Sequence, residues 1–131
     1  MLEENKIVDQ AQQVMGNLSQ KGHMVTTSQI RKFLTAVNTV TEKVNAYKLE
    51  KTDDYDTLPV ELQAQIKYLK VKLAYQIGRN RSKWGNPVED FEKEARLMSL
   101  IDGIKSSTKE YEKFAHYIEA LVAFHKFYGG K

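Results

Sequence analysis

The sequence contains no cysteine and little proline or glycine. With no cysteine among 131 residues, disulfide frameworks, thiolate zinc sites and cysteine nucleophiles are excluded. Two prolines and seven glycines are too few for a turn-rich β-sandwich. No segment approaches the roughly 18–20 apolar residues of a membrane span. The acidic N-terminus lacks an apolar signal core, so we expect a cytoplasmic protein with no membrane partner.

Patterns typical of catalytic and metal sites are also missing. His116 and His125 are nine residues apart, which places them about 180° apart around a helix, where they cannot share a metal ion. The acidic residues of segment 89–94 fall in the first turns of a predicted helix, where carboxylates interact favourably with the helix dipole. The sequence has no glycine-rich phosphate loop and no Gly-x-Ser-x-Gly motif. We therefore expect a protein that is not an enzyme and that binds no metal or cofactor.

Acidic residues are absent from one long segment. The chain has twenty Lys and Arg against seventeen Asp and Glu, a net charge of +3. Residues 62–88 contain no Asp or Glu. Their basic residues are Lys67, Lys70, Lys72, Arg79, Arg81 and Lys83. An acid-free basic segment in an otherwise mildly acidic chain favours a local polyanion-binding surface. A solvated, lysine-rich helix face is the alternative interpretation.

Apolar residues recur at intervals of three and four, which predicts helices along almost the whole chain. The first predicted helix spans residues 4–20 and stops at residues 21–22. Thr26 is the predicted N-cap of the second helix. Gln29, three residues later, completes a capping box.

Three further helices are predicted beyond a polar, acidic loop at residues 50–57. Pro59 fits the first turn of the third helix, which frays at Gly78. Asn86 is the predicted N-cap of the fourth helix, and residues 107–110 (STKE) open the fifth. The fourth helix is expected to bury Phe91, Ala95, Met98 and Leu100 or Ile101. These elements predict an all-α fold, a compact bundle of about five helices in a single domain over residues 1–131, with residues 1–24 as an N-terminal helix or arm.

The third predicted helix carries a second pattern opposite its apolar stripe. Tyr68, Lys72, Tyr75 and Arg79 follow each other at i, i+4, i+7 and i+11, so they form one ridge in which aromatic and cationic residues alternate. Single-stranded nucleic acid binds such surfaces because the cations contact its phosphate backbone and the aromatic side chains stack on its bases. The alternative is a second apolar face that packs on another helix, with the cations extending past it.

A flexible basic loop follows the third helix. It contains Arg81 and Lys83 and ends near Trp84, the only tryptophan. Trp84 is therefore a third candidate stacking residue beside Tyr68 and Tyr75. The alternative is that its ring plugs the helical bundle.

Three segments resemble a known family in their order and spacing. They are residues 27–34 (TSQIRKFL), residues 69–79 (LxxxLAYxxGR) and residues 114–128 (FxxxIEALVAFHKFY). Together they resemble the small α-helical subunit of type III-A CRISPR effector (Csm) complexes. The similarity runs from about residue 24 to the end of the chain.

The resemblance implies a function and a set of partners. In that family several copies stack as the inner, minor filament of the complex and contact the guide–target RNA duplex, mainly the target strand, without reading sequence. A larger backbone subunit holds the crRNA, and the filament abuts a large polymerase and nuclease subunit. The small subunit is not catalytic. Such a protein needs only shape and phosphate contacts, because the guide supplies base specificity.

Carried over by position, the resemblance implies six RNA-binding residues: Lys48, Lys67, Lys72, Arg79, Arg81 and Lys83. Lys48 lies in the last predicted turn of its helix, where a favourable interaction with the helix dipole explains it equally well. A second functional class stays open. It is a helical interaction module whose basic face binds an acidic protein partner.

Overall fold

The computed structural model describes residues 2–22, 24–51 and 54–131. A short 3-10 turn at Glu4–Lys6 leads into six α-helices. The helices are α1 (Ile7–Gln20), α2 (Thr27–Glu50), α3 (Val60–Arg79), α4 (Pro87–Ala95), α5 (Leu97–Ile104) and α6 (Thr108–Phe127). The predicted all-α fold is confirmed. Thr52 and Asp53 of the predicted acidic loop lie outside the described residues.

Local sequence explains where three of the six described α-helices begin. Thr26 and Gln29 form the complete capping box, with each side chain bonded to the other residue's backbone N–H. The side chains of Asn86 and Ser107 accept hydrogen bonds from N–H groups in the first turns of α4 and α6. The ends of α3 differ from the prediction. Pro59 is the N-cap and precedes the helix, and the helix continues one residue past Gly78.

The predicted fourth helix is two helices. Arg96 adopts the left-handed conformation, with φ 57° and ψ 42°, and separates α4 from α5. In one continuous helix, Leu97 and Ile104 would point on average about 150° away from the buried face of α4 around Phe91 and Ala95. All four side chains are buried, because the break at Arg96 turns the second set toward the core. The described part of the chain therefore has six α-helices, where the sequence predicted about five.

The core lies mainly around α6. This helix packs on α1, α2 and α5, and α3 packs on α2, α4 and α5. Phe33 of α2 and Leu121 of α6 are buried. The buried Tyr111 hydroxyl donates to the Val37 carbonyl at 2.9 Å. The apolar stripe predicted for the third helix is buried along the whole of α3. Its residues are Leu62, Ile66, Leu69, Leu73 and Ile77. Among the described residues, no helix combines the length and hydropathy needed to cross a membrane.

Candidate nucleic-acid interface

A groove of about 610 Å³ runs between α2 and α3. The α3 wall contains the complete ridge predicted from the sequence, namely Tyr68, Lys72, Tyr75 and Arg79, together with Val71 and Gln76. The α2 wall consists of Lys32, Phe33, Thr35, Ala36 and Thr39. Thr35, Ala36 and Thr39 give part of the α2 wall small side chains facing the larger tyrosines of α3, which leaves space between the two helices.

The aromatic residues of this region are exposed. Tyr68 is 57%, Tyr75 67% and Trp84 79% exposed. The two tyrosines therefore do not form a second apolar face against another described helix, and Trp84 does not plug the bundle. Both interpretations that placed these rings inside the fold are wrong. The rings are accessible to a ligand or a partner.

The charge of the groove is positive. Lys72 and Arg79 project from the exposed side of α3, and Lys32 projects from the facing wall. Within the described ranges, none of these three cations forms an ion pair. Cations on both walls and exposed tyrosines on the α3 wall are a combination that suits phosphates and unstacked bases.

Lys32 is a residue that the sequence analysis missed. It belongs to segment 27–34, which contributed to the family resemblance but was not assigned a binding role. The available signal was the run of small residues at Thr35, Ala36 and Thr39. These follow Lys32 at i+3, i+4 and i+7 and therefore share its face of the helix. A face built from a cation and small residues leaves room for a ligand against the neighbouring helix.

The loop between α3 and α4 is held in a defined turn. The Ser82 hydroxyl donates to the Gly85 carbonyl at 2.9 Å and accepts from the Trp84 N–H at 3.2 Å. At the far end, the buried Asn86 amide donates to the Ile77 carbonyl at 2.8 Å. Gly85 has φ +113°, a conformation that favours glycine. These bonds define the turn from which the exposed Trp84 ring projects. The flexibility expected of this loop stays a prediction.

The cations of this loop have neighbours. The Lys83 ammonium lies over the Trp84 ring, 5.1 Å from its centroid. The Arg81 guanidinium is 4.0 Å from a carboxylate oxygen of Glu89, and its side chain is largely exposed. An exposed ion pair at this distance contributes little and is readily exchanged for another anion.

Two of the six predicted RNA-binding residues lie neither in the groove nor in its adjoining loop. Lys67 lies beside a separate depression with Ile101, Asp102 and Lys105. The Lys48 ammonium donates to Glu112 Oε2 at 2.6 Å. That hydrogen bond raises the pKa of Lys48, which stays charged and paired. The structure thus brings Lys72 and Arg79 together but leaves Lys48 and Lys67 elsewhere on the molecule.

Potential metal ligands are scattered among the residues that the structure describes. These residues contain no group of three His, Cys, Asp or Glu side chains that could hold a metal ion. His125 is buried, and its Nε2 is hydrogen-bonded to the Val25 carbonyl at 2.7 Å. This histidine has a structural role.

Comparison with known proteins agrees with the resemblance seen in the sequence. The model of the family described as Csm2 Type III-A matches residues 2–131. A Streptococcus thermophilus protein called "CRISPR system Cms protein Csm2" is 32% identical over all of this chain and 98% of its own length. A Mycobacterium tuberculosis protein with the same name is 30% identical over 92% of this chain and 89% of its own. A third, from Enterococcus italicus, is 32% identical over 94% of this chain and 84% of its own. The family resemblance is confirmed, and the chain belongs to the type III-A Csm2 family.

Proposed function

We propose that this chain is the non-catalytic small subunit of a type III-A CRISPR effector complex, and that it binds the guide–target RNA duplex, mainly the target strand, without sequence specificity. The observation that carries the proposal is the groove between α2 and α3, which has exposed tyrosines and cations on one helix and a further cation on the other. Family membership supplies the complex in which this surface acts.

The groove and the adjacent loop suit contacts to an RNA backbone. Lys72 and Arg79 contribute positive charge along α3, and Arg81 and Lys83 extend it into the loop. Phosphate contacts position a nucleic acid without reading its sequence. In a guide-directed complex, base pairing supplies the specificity, so such contacts are sufficient.

The proposed partners follow from the family. Several copies of this chain would stack as the inner filament, beside the backbone subunit that holds the crRNA and next to the large polymerase and nuclease subunit. A ligand that spans several copies binds more tightly than it binds one, because the later contacts become intramolecular. Weak RNA binding by each copy is therefore enough.

The six proposed RNA-binding residues separate by position. Lys72, Arg79, Arg81 and Lys83 belong to the groove or its adjoining loop. Lys67 and Lys48 would reach RNA only along a different surface of the subunit. Lys48 would also have to exchange its bond with Glu112 for one with a phosphate.

Salt-dependent binding tests the proposal. The isolated chain is titrated with fluorescently labelled single-stranded RNA of several sequences and with polyglutamate as an acidic polypeptide. We expect weak RNA binding that is independent of sequence. With two to four phosphates engaged, the logarithm of the association constant should change with the logarithm of salt concentration by about −1.5 to −3. Binding of polyglutamate but not of RNA at low salt would instead support the module that docks an acidic protein.

A further inference from the structure

Three amide side chains connect the first turn of α2 to the last turn of α3. Gln29 Nε2 donates to Asn80 Oδ1 at 2.9 Å, and Asn80 Nδ2 donates to the Gln76 carbonyl at 2.7 Å. Gln76 Nε2 then donates to the Gln29 carbonyl at 3.1 Å. These bonds form a closed ring across two helices. We call Gln29, Gln76 and Asn80 the amide network.

Gln29 links this network to the start of α2. Its Oε1 accepts from the Thr26 N–H at 2.8 Å, while its Nε2 donates to Asn80. A backbone N–H can only donate, so the orientation of the Gln29 amide is fixed by its partners. One side chain therefore completes the capping box of α2 and restrains the C-terminal end of α3.

The network lies at the basic end of the groove. Gln76 and Arg79 both line the groove from α3, and Lys32 lines it from α2, three residues after Gln29. Asn80 is the C-cap of α3 and stands between Arg79 and Arg81 in the chain. The bond between Gln29 and Asn80 therefore fixes the helix end from which both arginines project.

We propose that Gln29, acting through Asn80, is a positioning residue for RNA binding, which holds Arg79 and Arg81 in place relative to Lys32. The inference rests on the proposed function. Helix ends fray unless their last carbonyls and their packing are secured. A frayed end must be ordered when RNA binds, and that ordering reduces the affinity.

The network is suited to positioning more than to holding the fold together. Its side-chain bonds are only partly buried, and each such bond adds modestly to stability. The core of α3 is secured separately by Leu69, Leu73 and Ile77. Removal of the network should therefore leave a folded protein with a looser groove.

The substitution Gln29→Met tests this role with a matched control. It removes both polar atoms of the side chain at nearly constant size and without a charge change. The control is Gln65→Met, since Gln65 Oε1 accepts from Lys43 Nζ at 2.8 Å and so bridges the same two helices away from the arginines. At a temperature where both variants are folded, Gln29→Met should weaken RNA binding about two- to ten-fold, as expected when a modest hydrogen-bond network is removed. Gln65→Met should bind RNA like the unmodified chain.

A second readout separates positioning from a general decrease in stability. Gln29→Met should make the salt dependence of RNA binding shallower by about 0.7 for each phosphate that the variant no longer engages. In the Arg79→Ala/Arg81→Ala background it should have no further effect on affinity, because the residues it positions are gone.

The possible results distinguish this inference from the proposed function. Equal decreases in affinity for Gln29→Met and Gln65→Met, or a Gln29→Met decrease that persists without the two arginines, overturn the positioning role alone. So does a Gln29→Met protein that binds RNA normally while the arginine variant does not. If the arginine variant itself binds RNA like the unmodified chain, the proposed RNA surface is wrong and the positioning role falls with it.

Discussion

Gly130 lies directly against the buried ring of His125. The Gly130 N–H donates to the His125 carbonyl at 2.8 Å, and a Cβ atom at position 130 would overlap three atoms of the imidazole ring. Nε2 of the same ring is bonded to the Val25 carbonyl, one residue before the N-cap of α2. The C-terminal tail is therefore packed against the segment that starts the groove-lining helix.

The first prediction compares two glycines. Gly130→Ala should destabilise the fold by about 1–3 kcal/mol, the usual effect of overpacking, because the tail or the His125 ring has to move. Gly78→Ala is the matched control, since nothing lies within 4 Å of a Cβ atom there. It should stabilise the protein by about 0.5–1 kcal/mol, because Gly78 is a helical residue of α3. Thermal and urea unfolding measure both effects, and a stable Gly130→Ala variant would show that the tail is loosely attached.

The second prediction concerns the core. Leu121 and Phe33 are 0% and 2% exposed. Leu121→Ala or Phe33→Ala should each lower the free energy of unfolding by about 2–5 kcal/mol, through reduced burial and the cavity that remains. Leu49→Ala is the control, because Leu49 is 82% exposed, and its effect should stay within about 0.5 kcal/mol. Similar urea midpoints for all three variants would contradict the helical packing.

The third prediction concerns the two arginines at the end of α3. Arg79→Ala/Arg81→Ala should weaken target-RNA capture by a similar factor for every target sequence, because phosphate contacts carry no sequence information. Its unfolding midpoint should barely change, since both residues are exposed. Lys6→Ala/Lys126→Ala removes the same charge at exposed positions outside the groove. This control should retain RNA capture in the assembled complex. If both double variants lose RNA capture to the same extent, net charge and not the position of the two arginines determines binding.

The fourth prediction concerns stability at high pH. Burial raises the pKa of Tyr111 and of Tyr117 to about 12, from an ordinary value of 10.0. Between these values the unfolded chain has released protons that the folded chain still holds. The free energy of unfolding should therefore fall by about 1.4 kcal/mol per pH unit for each tyrosine as pH rises from 10 toward 12. Urea unfolding at several pH values measures this slope.

Phenylalanine substitutions provide the control for that slope. Tyr111→Phe should make it shallower, at the cost of the hydroxyl bonds to Val37 and Thr41. Tyr117→Phe should also make it shallower, at the cost of the hydroxyl bond to the Ala95 carbonyl. An unchanged slope in Tyr111→Phe would mean that this hydroxyl titrates alike in the folded and unfolded chains.

The parts of the fold that were predictable are those decided by short-range chemistry. The capping box at Thr26 and Gln29 needs only residues three apart, and the buried stripe of α3 needs only its periodicity. The break at Arg96 was missed because no glycine or proline marks it. Its cause is tertiary, since the buried faces on either side could not both reach the core from one straight helix.

The candidate site was predictable only along one helix. The spacing of Tyr68, Lys72, Tyr75 and Arg79 identified four of the six residues of the α3 wall, which Val71 and Gln76 complete. The opposite wall depends on the pairing of α2 with α3, which periodicity does not specify, so Lys32 was missed. The family resemblance assigned Lys48 to the site from its position in the chain. In the structure Lys48 forms an ion pair with Glu112, and because the two residues are far apart in sequence, local patterns do not reveal this pair.

The last prediction separates stacking from charge in the groove. Tyr68→Ala/Tyr75→Ala should weaken single-stranded RNA binding by about 1–3 kcal/mol for each base that stacks on a ring. The salt dependence should stay unchanged, because no cation is removed. Tyr68→Phe/Tyr75→Phe keeps both rings and should retain nearly all of the affinity. The comparison is measured with one labelled RNA across a salt series. If the alanine variant binds as tightly as the unmodified chain, phosphate contacts alone hold the RNA. If the phenylalanine variant is weakened as much as the alanine variant, the hydroxyl groups act as hydrogen-bonding partners and the rings do not stack.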